Sequence, residues 1–211
     1  MNIIFDFDGT LADTLPAARA LFDKMQLRPP VTDAEVAHWR GLTLRRVLQE
    51  VGIPMWRVPR LLVVARADFA LIVKTVEVFK GLDTVLAGLK ADGHELFVVS
   101  SNSSQNIQDF LKRHKIDAYF DHAYGGASVF GKSKDLRLII KNDKLDRLQT
   151  IYVGDETRDI EAARRAGIRS ISVTWGFNAT EILRSHNPDF MADTPDDLAQ
   201  LFKTVGVKGV L

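Results

Sequence analysis

A chain of 211 residues with 46% hydrophobic composition can bury one sizeable core and carry a smaller appended unit. Its 28 basic and 27 acidic residues leave a net charge of +1, which offers no footing for nucleic acid or an anionic membrane surface. The absence of cysteine excludes disulfides and thiolate metal sites. No basic, apolar and small-residue succession marks a signal peptide at the start. The longest apolar stretch, Leu61 to Val73, is interrupted by Arg66 and Asp68 and cannot span a bilayer. The expectation is a soluble, cytoplasmic protein.

In chain order, Asn2-Ile3-Ile4-Phe5 reads as a strand leading into Asp6. Residues 14–80 hold no convincing strand, several helical patterns, and breaks at Pro29-Pro30, Pro54 and Pro59. Helical periodicity then predicts segments near 82–91, 103–114, 133–142 and 157–166. Strands are predicted at Glu95–Val99 before Ser100-Ser101, at Thr150–Val153 before Gly154-Asp155, and at Ser170–Val173 before Thr174-Trp175-Gly176. This alternation predicts an α/β fold: a Rossmann-like parallel sheet with helices on both faces, plus a small all-α cap inserted after the first strand. The core comprises 1–13 and 81–211, the helical cap 14–80. The cap carries 11 basic and 6 acidic residues and the remainder 17 and 21: a basic lid over an acidic site would suit an anionic substrate, and solvated helix faces account for any single one of these charges at least as well.

Ligands in such a sheet bind at the carboxyl ends of the strands, where the polar clusters fall. Asp6-Phe7-Asp8-Gly9-Thr10 comes first. Alternation along an extended chain points Asp6 and Asp8 the same way, and two poorly solvated carboxylates there demand a proton or a cation. A hard divalent ion, Mg2+ above all, meets that demand and recruits phosphate oxygens. Gly154-Asp155-Glu156-Thr157-Arg158-Asp159 forms a second acidic strand end, with Asp159 one helical turn beyond Asp155. Ser100-Ser101-Asn102-Ser103 offers hydroxyls and helix-start amides, Ser103 reading as an N-cap. Gly131-Lys132-Ser133-Lys134 opens another helix with a compact cation suited to phosphate.

Taken in order, Asp6-x-Asp8-Gly9-Thr10, Ser101-Asn102, Lys132 and Gly154-Asp155-x-x-x-Asp159 resemble the four signatures of the haloacid-dehalogenase-type phosphohydrolases. The resemblance covers essentially the whole chain, and 14–80 is placed and sized like that family's small helical cap. Val173-Thr174-Trp175-Gly176-Phe177-Asn178 and Asn187-Pro188-Asp189 are similar to its phosphoglycolate-phosphatase-like branch. The resemblance implies a phosphatase acting on a small phosphorylated metabolite. In it Asp6 is the nucleophile, Asp8 the acid and then base, and Lys132 the charge-neutralising catalytic lysine. Mg2+ is held by Asp6, the Asp8 carbonyl and Asp155, with Asp159 in support. Thr10, Ser101 and Asn102 meet the substrate. Ser100 stands as the alternative to Ser101, and Lys134 to Lys132.

The same resemblance leaves other activities to weigh. Asp8 argues against dehalogenation, and the sugar-phosphate mutase branch expects an arginine where Leu44 follows Gly41 and a histidine where Ala18 stands. Lys24, Lys74 and Lys80 offer no distinctive Schiff-base lysine for phosphonate hydrolysis. A non-enzymatic binding module would be expected to have lost one of the acids. Cap residues His38, Trp39, Arg40, Arg45 and Arg46 are the candidates for choosing the substrate. The apolar face near Leu61–Val73 is expected to pack internally, which leaves monomer or dimer open.

Overall fold

Among the described residues six strands form one sheet in the order β3-β2-β1-β4-β5-β6, every pair parallel. They are β1 Asn2–Phe5, β2 Glu95–Val99, β3 His122–Tyr124, β4 Thr150–Gly154, β5 Arg169–Val173 and β6 Phe190–Ala192. The computed structural model describes residues 1–24, 30–72, 75–129 and 131–205, so Val73 and Lys74 lie outside the described residues. The helices are α1 Leu15–Lys24, α2 Asp33–Arg40, α3 Leu44–Glu50, α4 Val58–Ile72 and α5 Leu82–Ala91 between β1 and β2. Then follow α6 Ser104–Arg113, α7 Lys132–Asn142, α8 Thr157–Ala166, α9 Thr180–Ser185 and α10 Pro195–Val205.

Alternating side chains divide the sheet between two apolar layers. Ile3, Phe5, Val98 and Val153 face a core built with Leu86 of α5, Phe110 of α6 and Leu198 of α10. Ile4, Phe97, Val99 and Tyr152 face Leu136 and Ile140 of α7 and Ala163 of α8. Strands buried on both faces need continuous apolar runs, which is what made β1, β2 and β4 visible in the sequence. The register aligns Phe5 with Val98 of β2 and Val153 of β4. Asp6, Ser100 and Asp155 therefore leave the sheet at nearly one level, at the point where the strand order reverses.

The inserted helices α1–α4 stand over that edge. Thr32 starts α2 with a capping box to Glu35, and Thr43 accepts from the Arg46 N–H to start α3. Within 14–80 the described residues hold no strand, only one antiparallel bridge between Ala12 and Val78. Inward packing is true of one face of α4: Phe69 is buried against Phe7, their rings 5.8 Å apart. Val63 and Leu71 on its outer side are 63% and 76% exposed.

Two polar clasps tie the insert to the core. On one side Arg66 Nε donates to the Ser101 carbonyl at 2.7 Å, while Asn106 Nδ2 donates to the Arg66 carbonyl at 2.9 Å. On the other, Asn178 Nδ2 donates to the Leu42 carbonyl at 2.9 Å and the Ala179 N–H to the Arg40 carbonyl at 2.7 Å.

Candidate active site

Asp6 is held in one orientation by three bonds. Its N–H extends the sheet by donating to the Val153 carbonyl at 2.8 Å. Its Oδ1 accepts the Phe7 N–H at 2.8 Å, and its Oδ2 accepts Lys132 Nζ at 2.6 Å. Lys132 is the first residue of α7 and buried, and it donates to Asp159 Oδ1 at 2.7 Å as well. Lys134 is exposed, so of the two lysines it is Lys132 that reaches the acids.

Asp155 emerges from β4 fully buried, taking the Thr10 hydroxyl on Oδ1 at 2.7 Å and the Phe177 N–H on Oδ2 at 2.7 Å. The backbone wraps it closely. A Cβ on Gly9, whose φ is +77°, or on Gly176 would fall 2.3 Å from Asp155 Oδ2, so neither position admits a side chain. Asp159 Oδ2 accepts the Glu156 N–H at 3.0 Å as half of a capping box opening α8, so the helix start and the acid cluster share one carboxylate. Asp6, Asp155 and Asp159 each offer an oxygen within 4.8 Å of the other two.

Burial decides the electrostatics. It pushes the Asp6 carboxyl up to about 7 against the pull of the Lys132 ammonium. Asp155 is driven well above the usual carboxylate range by burial, then by Glu156, Asp159 and Asp6. Asp8 is raised by burial, with the neighbouring Thr14 and Ser100 hydroxyls pulling the other way. For Asp159 burial is outweighed by Lys132 and Arg158, and its carboxyl is lowered. Lys132 itself is raised, because Asp159 and Asp6 outweigh its desolvation. Five acids (Asp6, Asp8, Asp155, Glu156 and Asp159) thus meet two cations, Lys132 and Arg158. The surplus of hard oxygen donors, drawn together with too little positive charge, fits a divalent cation.

Asp8 is partly exposed and faces a cavity of about 250 Å³ between α1, α4 and the core. Ser101 and Asn102 line that cavity. Ser100 is fully buried, donates its hydroxyl to Asp8 Oδ2 at 3.3 Å and accepts the Asn102 N–H at 2.9 Å. The hydroxyl turned towards Asp8 is therefore that of Ser100, while Ser101 is the serine that lines the cavity. Ser103 caps α6 through the Asn106 N–H.

The cap residues singled out by type do not line the cavity above Asp8. His38 pairs with Glu50 at 3.0 Å, the Trp39 ring meets that of Phe22, Arg40 Nη2 donates to the Thr174 carbonyl at 3.5 Å, Arg46 meets Gln49, and Arg45 lines a neighbouring cavity together with Lys132 and Arg158. Asp189 holds the start of β5 by accepting the Ser170 N–H at 2.8 Å. Residues that sequence reasoning passed over include Thr14, Arg66 and Arg158, all on the cavity wall, and Asn178 of the clasp. Only Asn178 carried a signal, within the Trp175-Gly176-Phe177-Asn178 stretch.

A parallel sheet with its acids gathered at the switch point beneath a helical insert defines an α/β enzyme of the aspartate-centred kind. Residues 3–173 match the family described as haloacid dehalogenase-like hydrolase, and the chain belongs to that family. It is 34% identical to a phosphoglycolate phosphatase from Synechococcus elongatus over 201 residues, 94% of this chain and 95% of the relative. A phosphoglycolate phosphatase from Vibrio cholerae is 30% identical, with 96% of each chain covered. The fold is similar to the crystal structure of a predicted phosphatase from Clostridium acetobutylicum, with a TM-score of 0.79, 22% identity, and 96% and 98% of the two chains covered. No described helix is long and apolar enough to cross a membrane.

Proposed function

We propose that this hydrolase is a Mg2+-dependent phosphatase acting on a small phosphomonoester, phosphoglycolate or a close analogue, through a phosphorylated Asp6. The observation that carries the reading is the burial of Asp6 with Lys132, Asp155 and Asp159 at one end of the sheet, Asp6 standing two residues from an Asp8 that faces a cavity. The near-full-length likeness to two phosphoglycolate phosphatases supports the substrate class.

In this reading residues 14–80 are the cap and the rest the catalytic core. Asp6, Asp155 and the Asp8 carbonyl hold the ion, with Asp159 in support. When bound, it supplies positive charge to the phosphoryl oxygens. An Asp6 carboxylate oxygen attacks phosphorus, the bond from phosphorus to the ester oxygen breaks, and Asp8 gives its proton to the departing alkoxide. Asp8 then takes a proton from water as that water attacks phosphorus, which frees inorganic phosphate and restores Asp6. Lys132 orients Asp6 and balances the charge that builds on the phosphoryl oxygens. Ser101, on the cavity wall beside Asn102, is the side chain that grips the phosphoryl group, and Ser100 holds Asp8 through its buried hydroxyl. Thr10 steadies Asp155 from beneath.

Asp8→Asn keeps the shape and removes the transferable proton. We expect steady-state turnover to fall by roughly 10²- to 10⁴-fold with the fold unchanged. Near-wild-type turnover would rule out the second carboxylate's part in the mechanism.

A further inference from the structure

The cavity above Asp8 has two cations on its wall, and they differ in what remains free. Arg158 is fully engaged: Nε and Nη2 meet the Glu156 carboxylate and Nη1 donates to the Val129 carbonyl at 3.3 Å. Arg66 commits only Nε, to the Ser101 carbonyl at 2.7 Å, and its two Nη groups have no partner among the described residues. The acid nearest to it in sequence on that wall, Asp68, is already neutralised by Lys24 at 2.9 Å. Thr14 presents a second free group. The residue is 3% exposed, and its buried hydroxyl lies beside Asp8 without completing a hydrogen bond and has no other partner among the described residues. Much of the remaining wall is apolar, with Ala17, Leu62, Ala65, Phe69 and Phe177 among its residues.

A guanidinium in such a wall with its Nη1–Nη2 edge unspent matches the two coplanar oxygens of a carboxylate. Its tether to the Ser101 carbonyl fixes it beside the serine that meets the phosphoryl group, so the group it reads must lie a short linker away from the phosphoryl. The volume of about 250 Å³ suits such a compact ester, and the apolar wall gives little to a hydroxyl-rich leaving group. We propose that Arg66, assisted by the Thr14 hydroxyl, is the specificity determinant that binds a carboxylate on the leaving group. The inference rests on the phosphatase reading above, and it makes the arginine on α4 do two things: hold the cap to the Ser101 loop and recognise the second negative charge.

The test compares kcat/KM for phosphoglycolate and for its neutral amide, with p-nitrophenyl phosphate as a general phosphatase probe. Wild type is expected to favour the acid over the amide. Arg66→Gln should cut kcat/KM for the acid by roughly 100-fold, and far less for the amide, so that the acid-to-amide ratio collapses towards one. Thr14→Val, which keeps the shape and removes the hydroxyl, should shrink that ratio several-fold and serves even where Arg66→Gln unfolds. Equal losses on both esters would assign Arg66 to the phosphoryl group or to the clasp alone and overturn the proposal. So would a wild type that hydrolyses the amide as well as the acid, leaving the phosphatase reading intact. A wild type that hydrolyses neither ester but does hydrolyse p-nitrophenyl phosphate removes the carboxylate alone. Phosphate release from none of the three removes both.

Discussion

Replacing Lys132 by Met removes one charge and little volume, because the methionine stem can still lie over the Tyr152 ring, which the ammonium overlooks at 5.5 Å. What remains is two carboxylates, Asp6 and Asp159, that had received Lys132 at 2.6 and 2.7 Å, all three side chains at 3% exposure. Breaking a buried pair by deleting one partner costs about 3–5 kcal/mol. That is a large share of the ~5–15 kcal/mol that separates folded from unfolded domains. For a chain of this length, at roughly 2–4 °C per kcal/mol, Tm should fall by about 6–20 °C.

The defect also has a pH signature. The folded-state value of Asp6 is raised to about 7, above its ordinary value of 3.8, so the unfolded chain sheds this proton first. The Asp6 contribution to stability therefore declines as pH rises from about 4 to about 7, and without the lowering pull of Lys132 the decline continues to higher pH. Asp159 is lowered in the wild type by the same lysine, a stabilisation present above its ordinary value that the variant forfeits. Both act in one direction, so the Tm difference between wild type and Lys132→Met should widen from pH 5 to pH 8. Calorimetric scans in EDTA read this directly. A difference under about 2 °C at pH 8, or one that narrows as pH rises, refutes the reasoning.

Ser100→Ala is expected to lower kcat by roughly 10- to 100-fold, because its hydroxyl holds Asp8, and Ser101→Ala to lower kcat/KM by a similar factor, because Ser101 lines the cavity. Steady-state kinetics on both variants check this, and an unchanged kcat/KM in Ser101→Ala would remove Ser101 from the phosphoryl contact. Asn178→Ala removes the acceptor of the Thr157 N–H at 2.9 Å and the donor to the Leu42 and Arg40 carbonyls. Its cost should be about 2–4 kcal/mol by denaturant unfolding, with a raised KM as the cap loosens. A loss below about 0.5 kcal/mol would show that the clasp holds nothing.

The chain announced its framework and hid its edges. Apolar runs ending in polar residues marked β1, β2 and β4, which are apolar on both faces, and alternation marked β5, whose Ile171 and Val173 face one core while Ser170 and Ser172 face away. The three-residue strands His122–Tyr124 and Phe190–Ala192 sit at the sheet's margins, where pairing to one neighbour is decided by tertiary contact and too few residues alternate to be read. Periodicity recovered 82–91 and 157–166 as α5 and α8, both closely amphipathic. The acids were legible because two strand ends with paired carboxylates are hard to explain as structure alone. Arg66, Thr14 and Arg158 were not, because an arginine on an amphipathic helix looks the same whether it meets water or a cavity. Only the packing of α4 against the Ser101 loop separates the two. For the serines, one residue of backbone advance past β2 decides which hydroxyl turns inward, a difference that sequence spacing does not resolve.

The most direct test of the account is phosphate release from phosphoglycolate and from a panel of other small phosphomonoesters, with and without Mg2+, by the wild-type protein and by Asp6→Asn. Release is expected to be lost in EDTA, restored by Mg2+ and absent in the variant. Release from no ester, by a folded protein that binds Mg2+, would contradict it, as would release that survives the loss of the Asp6 carboxylate.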